Sequence, residues 1–307
     1  MLEIIHIQEE PLEWMSYLSP TTGSQFIEHK QLPIYRGTIR GLSESVKVLI
    51  VTSDLQGIVE DIAGNLVQDE NERLVRGIQP RLLGEALPEM LELLLEMEVP
   101  HISKQQVMIL LCGDLYTDIW KRGSSGSPIA VWQAFQQKFV NIAAVSGNHD
   151  IFTDEEKRDL NTSAQAVWML QPQLHTICGL HVAGLGGITG RADKPNRMSE
   201  VDFSKQLSRL LKKSPDVLMM HQGPDDPLNS RPGHAGVRME VEKSDPVLLC
   251  CGHVGWDTHK AQEHYTRLQN GTQVLNADGK VFILIAEHEH EHEHEHEHEH
   301  EHEHEKG

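Results

Sequence analysis

Five short apolar runs, spread through the chain, each end in a polar tip. Val48-Leu49-Ile50-Val51 runs into Ser53-Asp54-Leu55-Gln56-Gly57, Met108-Ile109-Leu110-Leu111 into Gly113-Asp114, and Ile142-Ala143-Ala144-Val145 into Gly147-Asn148-His149-Asp150. Val217-Leu218-Met219-Met220 runs into His221, and Val247-Leu248-Leu249 into Gly252-His253. Apolar runs with so little polar alternation fit strands buried on both faces. Enzymes built on such sheets bind ligands beyond the carboxyl ends of their strands, so the Asp, Asn and His residues at these tips form the candidate site. One such match would be chance; a series of them, each tipped by an oxygen or imidazole donor, is a specific signal.

The pattern between the runs predicts the rest. Residues 1–45 read as an N-terminal extension packed on the domain, with a short helix over Glu13-Trp14-Met15-Ser16-Tyr17-Leu18 and an edge strand from Leu32 to Ile39. Gly57 to Gly84 is charged and loop-like. A helix then follows, with Pro88 in its first turn, an apolar stripe of Leu87, Met90, Leu91, Leu94 and Met97, and a stop at Pro100. Ala130 to Val140 has helical character, with Trp132, Phe135 and Phe139 on one side. Leu174–Ile177 and Leu180–Ala183, separated by Cys178-Gly179, predict a hairpin that opens a second sheet. A helix over Phe203–Lys212 and a β-rich end, His264–Leu268, Gln273–Asn276 and Lys280–Ile285, complete two stacked sheets with helices outside.

Taken in order, D-x-Q, GD, GNHD, a lone His after a strand and GH-x-G closely resemble the calcineurin-like metallophosphoesterases, whose pattern is D-x-H, GD, GNH[DE], H, GH-x-H. The resemblance covers about residues 46 to 286. It implies a mixed α+β and α/β fold, the four-layer α/β/β/α sandwich of metallo-dependent phosphatases. The activity it implies is metal-dependent phosphoester hydrolysis by metal-activated water. Asp114 would bridge two cations, with Asn148, His221 and His253 completing one shell of mixed nitrogen and oxygen donors suited to Mn, Fe or Zn. Asp54 and Asp114 would begin the other. There Gln56 stands where the first expected histidine falls, and Gly255 where the second does. An oxygen-rich position of that kind suits Mg, Mn or Ca, weakly bound. Asp257 and His259 are nearby candidates to fill the gap.

By the same resemblance Asn148 and His149 hold the phosphate and His149 protonates the leaving group, a task suited to an imidazole titrating near neutral pH. Asp150 is expected to orient that ring. The basic loop from Arg191 to Arg197 offers Arg191 as a further phosphate contact. No G-x-S-x-G and no P-loop competes. The substrate class is a phosphorylated small molecule or a nucleotide-like ester. The rival reading is a protein of the same fold that binds a metal or a phosphorylated ligand without turnover, motivated by the two missing imidazoles.

Charge changes the picture little. Of the formal −19, ten glutamates and one lysine after Ala286 supply −9, which leaves an acidic body unsuited to non-specific binding of nucleic acid or anionic membrane. That tail, 287–307, alternates Glu and His and is read as disordered low-complexity sequence or a tag, able to bind metal adventitiously. The start has no basic region, and no run reaches eighteen apolar residues, so a cytoplasmic protein is expected. Cys112, Cys178, Cys250 and Cys251 lie in or beside apolar runs and are read as buried thiols.

Overall fold

The computed structural model describes residues 1–20, 27–68, 74–118, 121, 123–160, 162–256 and 261–287. Strands β1 (Glu3–Ile7), β2 (Glu13–Pro20) and β3 (Ile27–Arg40) precede β4 (Val48–Ser53). A long hairpin of β5 (Ile58–Gln68) and β6 (Leu74–Leu82) leads into α1 (Leu83–Glu98). Then come β7 (Val107–Leu111), α2 (Ile129–Lys138), β8 (Asn141–Val145), α3 (Asp154–Asp159) and β9 (Ala166–Met169). The second half runs through β10 (Gln173–Ile177), β11 (Leu180–Leu185), β12 (Ile188–Thr189), β13 (Arg197–Met198), α4 (Glu200–Leu211), β14 (Val217–Gln222) and α5 (Ala235–Val241). It ends with β15 (Leu248–Gly252), β16 (Tyr265–Arg267), β17 (Gln273–Asn276) and β18 (Lys280–Ala286).

Two sheets result. The larger has the order β6-β5-β2-β3-β18-β4-β7-β8-β9, with β1 also on β3; the smaller has the order β10-β11-β14-β15-β17-β16. Strand parity explains how they stack. Leu49 and Val51, Met108 and Leu110, and Ala143 and Val145 face a central core shared with Val217, Met219, Leu248 and Cys250 of the second sheet. The alternate residues Val48, Ile50, Ile109 and Ile142 face α1 and α2, while Leu218, Met220, Leu249 and Cys251 face α4 and α5. Successive side chains of a strand point to opposite faces, so a run that is apolar throughout feeds two cores at once. The layers are therefore helix, sheet, sheet, helix, as expected.

Four expectations need correction. Glu13–Leu18 is not a helix but most of β2, paired antiparallel with β3 from Glu13↔Ile34 to Pro20↔Ile27. The segment from Leu32 to Ile39 is not at an edge, because β3 lies between β2 and β18. Gly57–Gly84 is not a loop: β5 and β6 form a hairpin that meets β2 only at Leu18↔Ile58, so it pairs mostly with itself. Backbone ladders of that kind need no continuous apolar run to declare them. Helix α1 begins at Leu83, its first N–H groups relieved by Glu85, whose carboxylate accepts from Leu82 N–H at 2.8 Å, so Pro88 lies beyond the first turn. Of its proposed stripe, Leu87, Leu91 and Leu94 are buried, but Met97 is exposed.

The remaining elements fall where the pattern puts them. β10 and β11 form the antiparallel hairpin, turning through Cys178 and Gly179, both at positive φ. The second sheet opens at that hairpin. Among the described residues no helix is long and apolar enough to cross a membrane.

Helix α2 is anchored by Trp132, which is fully buried and meets Trp168 of β9 edge to face, with ring centroids 5.3 Å apart. Trp132→Ala should lower the unfolding free energy by about 3–5 kcal/mol in urea denaturation. A loss below about 1 kcal/mol would show that this helix contributes little to the first core.

Candidate metal centre

Parallel pairing brings the tips together. β4, β7 and β8 run parallel in one sheet, β14 and β15 in the other, so their carboxyl ends lie along one rim of the sandwich. Three of the tip residues, Asp54 (φ 57°), Asp114 (φ 53°) and His253 (φ 69°), take the left-handed backbone conformation. Non-glycine residues adopt it rarely and at some energetic expense, so its recurrence at candidate ligands marks a site that the surrounding packing enforces.

Two glycines of the motifs make room for carboxylates. A Cβ on Gly147 would stand 2.0 Å from Asp114 Oδ1, and one on Gly252 would stand 2.2 Å from Asp54 Oδ2. Neither position can carry a side chain. The close approach is used: His149 N–H donates to Asp114 Oδ1 at 2.8 Å, and His253 N–H donates to Asp54 Oδ2 at 2.9 Å. Ser53 Oγ donates to that same Asp54 oxygen at 2.7 Å.

His221 keeps the inward parity of Val217 and Met219, so its ring enters the rim between the sheets, where it is fully buried. Its Nδ1 lies 2.9 Å from the Cys112 carbonyl, to which it donates, and this leaves Nε2 turned to Asp114 Oδ2 at 3.3 Å. The His253 ring is 4.9 Å from it, centroid to centroid. Asp114, His221 and His253 present ligand atoms all within 4.8 Å of one another. Asn148 Oδ1 is buried and makes no hydrogen bond among the described residues, and His221 Nε2 meets only the Asp114 carboxylate. A buried acceptor without a donor is rare in a folded protein and calls for an explanation. A cation is the explanation that fits two imidazoles, a carboxylate and an amide oxygen.

The electrostatics agree. Burial works against a charge on His221, but Asp114 and Asp54 outweigh it and push the ring up to about 10. Burial, and then the charge on His221, push His253 down to about 4, the neutral form a ligand needs. Burial raises Asp54 well above the ordinary carboxylate range, with Asp278 and Asp114 adding to it.

The GNHD loop is held from outside. Asp150 does not touch the His149 ring. Its Oδ2 accepts from Asp114 N–H at 2.7 Å and Gly147 N–H at 2.9 Å, and its Oδ1 from Leu115 N–H at 2.9 Å. Asp150 is therefore a brace between two strand tips, and burial followed by Asp114 raises it to about 6. Ser125 Oγ, in the Gly/Ser loop, is the residue beside His149 Nδ1, at 3.2 Å. Asn196 Nδ2 donates to the carbonyls of Gly147, at 2.9 Å, and Asp150. Arg191 is exposed and bound to Asp193 through both Nε and an Nη. Arg197, on β13, lies within electrostatic reach of His253 and has no partner among the described residues. The sequence marks Asn196 and Arg197 only as part of the basic loop and Ser125 not at all; the two-strand β12–β13 pairing and the contact of Gly126 with Asp150 place them. Gln56 is partly exposed, Gly255 offers no side chain, and Asp257 and His259 lie outside the described residues.

A ligand imidazole must be neutral, so a metal ion that binds here displaces the His221 proton. Binding at pH 7 should release about one proton, and affinity should rise with pH toward about 10. Calorimetry in buffers of different ionisation enthalpy measures this directly. A binding heat independent of buffer would rule out His221 as the titrating ligand.

Among solved structures the chain is similar to TT1561 of Thermus thermophilus, with 14% identity over 76% of this chain and 90% of that one and a TM-score of 0.49. It is similar also to the NAD nucleotidase of Haemophilus influenzae, 15% identical over 76% of this chain and 44% of that one, TM-score 0.37. The 5'-nucleotidase of Candida albicans is 12% identical over 77% and 46%, TM-score 0.35. This chain spans less than half the length of either nucleotidase. No protein of curated function matches it. The sequence of the calcineurin-like phosphoesterase family matches residues 48–256, which include every tip of the rim. The chain belongs to the calcineurin-like phosphoesterases, hydrolases of phosphoric esters that use divalent metal ions.

Proposed function

We propose that the protein hydrolyses a phosphorylated small molecule at one well-formed metal position, held by Asp114, Asn148, His221 and His253, beside a second, weakened position at Asp54 and Gln56. The observation that carries this reading is the convergence of Asp114, His221 and His253 within 4.8 Å beside the unpartnered oxygen of Asn148. A divalent ion bound there, Mn, Fe or Zn, supplies a Lewis acid and lowers the pKa of water. Mn is our choice of physiological ion. The chain's own residues supply the rest.

Asp114 is fixed by the His149 N–H and, through Asp150, by the brace on its own N–H, so its second oxygen stays aimed at His221. Preorganisation of this kind removes the need to rearrange during reaction. His149 is held at Nδ1 by Ser125, which leaves Nε2 to give a proton to the departing alkoxide. For the phosphate oxygens on the side away from the ligands, Arg197 is the better candidate than Arg191, whose guanidinium is already paired with Asp193. A guanidinium matches a phosphoryl group in charge and geometry. The four cysteines form no disulfide, in keeping with a cytoplasmic setting.

Two measurements test this. With metal supplied, Asp114→Ala should abolish hydrolysis of an aryl phosphate and the tight metal binding together; a variant that kept both would end the assignment. Arg197→Gln should raise KM for a phosphate monoester roughly tenfold with metal affinity unchanged, since a charged hydrogen bond contributes about 1.5–3 kcal/mol. Arg191→Gln should leave KM where it was. The opposite pattern would return the phosphate contact to Arg191.

A further inference from the structure

Two of the proposed metal ligands come from different sheets. Asn148 follows β8 of the larger sheet, and His221 lies within β14 of the smaller. No strand ladder joins β8 to β14, so their spacing must be set by something else. The segment 187–198 spans the interval. Its strands β12 and β13 form a two-stranded sheet of their own, and the segment is hydrogen-bonded to both of the larger ones.

On the first side, Gly187 N–H donates to the Ser146 carbonyl at 2.7 Å. The Asn196 amide gives one hydrogen to the Gly147 carbonyl, at 2.9 Å, and the other to the Asp150 carbonyl. Those two carbonyls bracket Asn148 and His149, so one side chain closes the turn that carries both. On the second side, Thr189 N–H donates to Gln222 Oε1 at 2.7 Å, and Gln222 is the residue after His221. The segment is also bonded internally, by Ile188 N–H to the Asn196 carbonyl at 3.0 Å and by Gly190 N–H to the Met198 carbonyl at 2.9 Å. Asn196 takes the left-handed backbone conformation (φ 50°), which asparagine tolerates better than most residues. A Cβ on Gly187 would stand 2.3 Å from the Asn196 carbonyl, so this close pairing requires glycine there.

We propose that the segment 187–198 is a strap that sets the spacing of Asn148 and His221, with Asn196 and Gln222 as the positioning residues at its two ends. This rests on the metal position proposed above for Asp114, Asn148, His221 and His253. The chemistry differs at the two ends: Asn196 is needed as a donor and Gln222 as an acceptor. Neither is a ligand in this scheme. Loss of either end leaves the donor set intact but free to spread, which weakens capture of the ion, as loss of groups that orient ligands commonly does.

Replacements at the two ends separate this role from general damage. The measure is the Mn²⁺ affinity of the full chain, read from the electron paramagnetic resonance of free Mn²⁺, with sites on the Glu/His tail subtracted through Asp114→Ala. Asn196→Asp keeps the shape but at pH 8 turns carboxylate oxygens to two carbonyls, and should weaken binding by about tenfold or more. Asn196→Gly suits the left-handed backbone, removes only the amide, and should do the same. Gln222→Glu keeps an acceptor for the Thr189 N–H and should bind as tightly as the wild type, whereas Gln222→Met, of similar size, should lose about fivefold. In the metal-free chain, hydrogen exchange across residues 147–150 should quicken in both Asn196 variants and not in Gln222→Glu. Wild-type affinity in both Asn196 variants, or equal losses in Gln222→Glu and Gln222→Met, would overturn the inference and leave the metal position standing. A wild type with no tight Mn²⁺ dependent on Asp114 would overturn the metal position itself, and the inference with it.

Discussion

Carboxyl groups crowded into a rim from which water is largely excluded are the constraint on which this molecule depends. Asp54, Asp114 and Asp150 come from three strand tips; Asp114 and Asp150 are buried and Asp54 is half-buried. Ionised carboxylates in such a place are expensive unless each finds hydrogen bonds or a positive partner. The chain solves the three cases differently. Asp150 is satisfied by three backbone N–H groups, Asp114 by a backbone N–H and the His221 ring, and Asp54 by Ser53 and the His253 N–H. The left-handed tips and the glycines at 147 and 252 are the backbone's side of these solutions, since each donor reaches its carboxylate only by close approach of two loops.

The arrangement separates supporting from reacting groups. Asp150 and Asn196 tie the GNHD loop to its neighbours through main-chain atoms, so the residues that face the rim remain free of structural duty. Asn148 consequently keeps its side-chain oxygen without a protein partner among the described residues, and His221 Nε2 meets only the Asp114 carboxylate. A buried amide oxygen left open beside the cluster of Asp114, His221 and His253 is the clearest sign that the fold leaves room for a cation.

Much of this is legible in the amino-acid order. Runs such as Val217-Leu218-Met219-Met220 are apolar on both faces because they serve two cores, and that doubling is what makes the strands and their tips visible. β2 reads falsely because Met15 and Leu18, both buried, are three residues apart while Trp14 is exposed, a spacing that imitates a helix. The β5–β6 hairpin escapes notice because its strands pair mostly with each other, and a backbone ladder needs no continuous apolar run to declare it. The role of Asp150 is hidden for a different reason: a carboxylate beside a histidine in sequence need not be beside it in space, and here its oxygens turn back to the β7 tip. Ser125 carries no signal of its own, and Asn196 and Arg197 only that of the basic loop 191–197, because loops rather than any period bring them to the rim.

The position of β18 in the larger sheet has a consequence for how the molecule is made. In the strand order, β18 stands between β3 and β4 and is the element that joins the strands made first to the parallel group that carries Asp54 and Asp114. During synthesis those two groups of strands therefore exist side by side with open edges until residues near 286 leave the ribosome. Pairing over so long a separation is slow, and exposed strand edges invite association with other chains. The turn that leads into this late strand sets Asp278 beside Ser53 at the β4 tip, so that end of the rim is finished in the same event that closes the sheet.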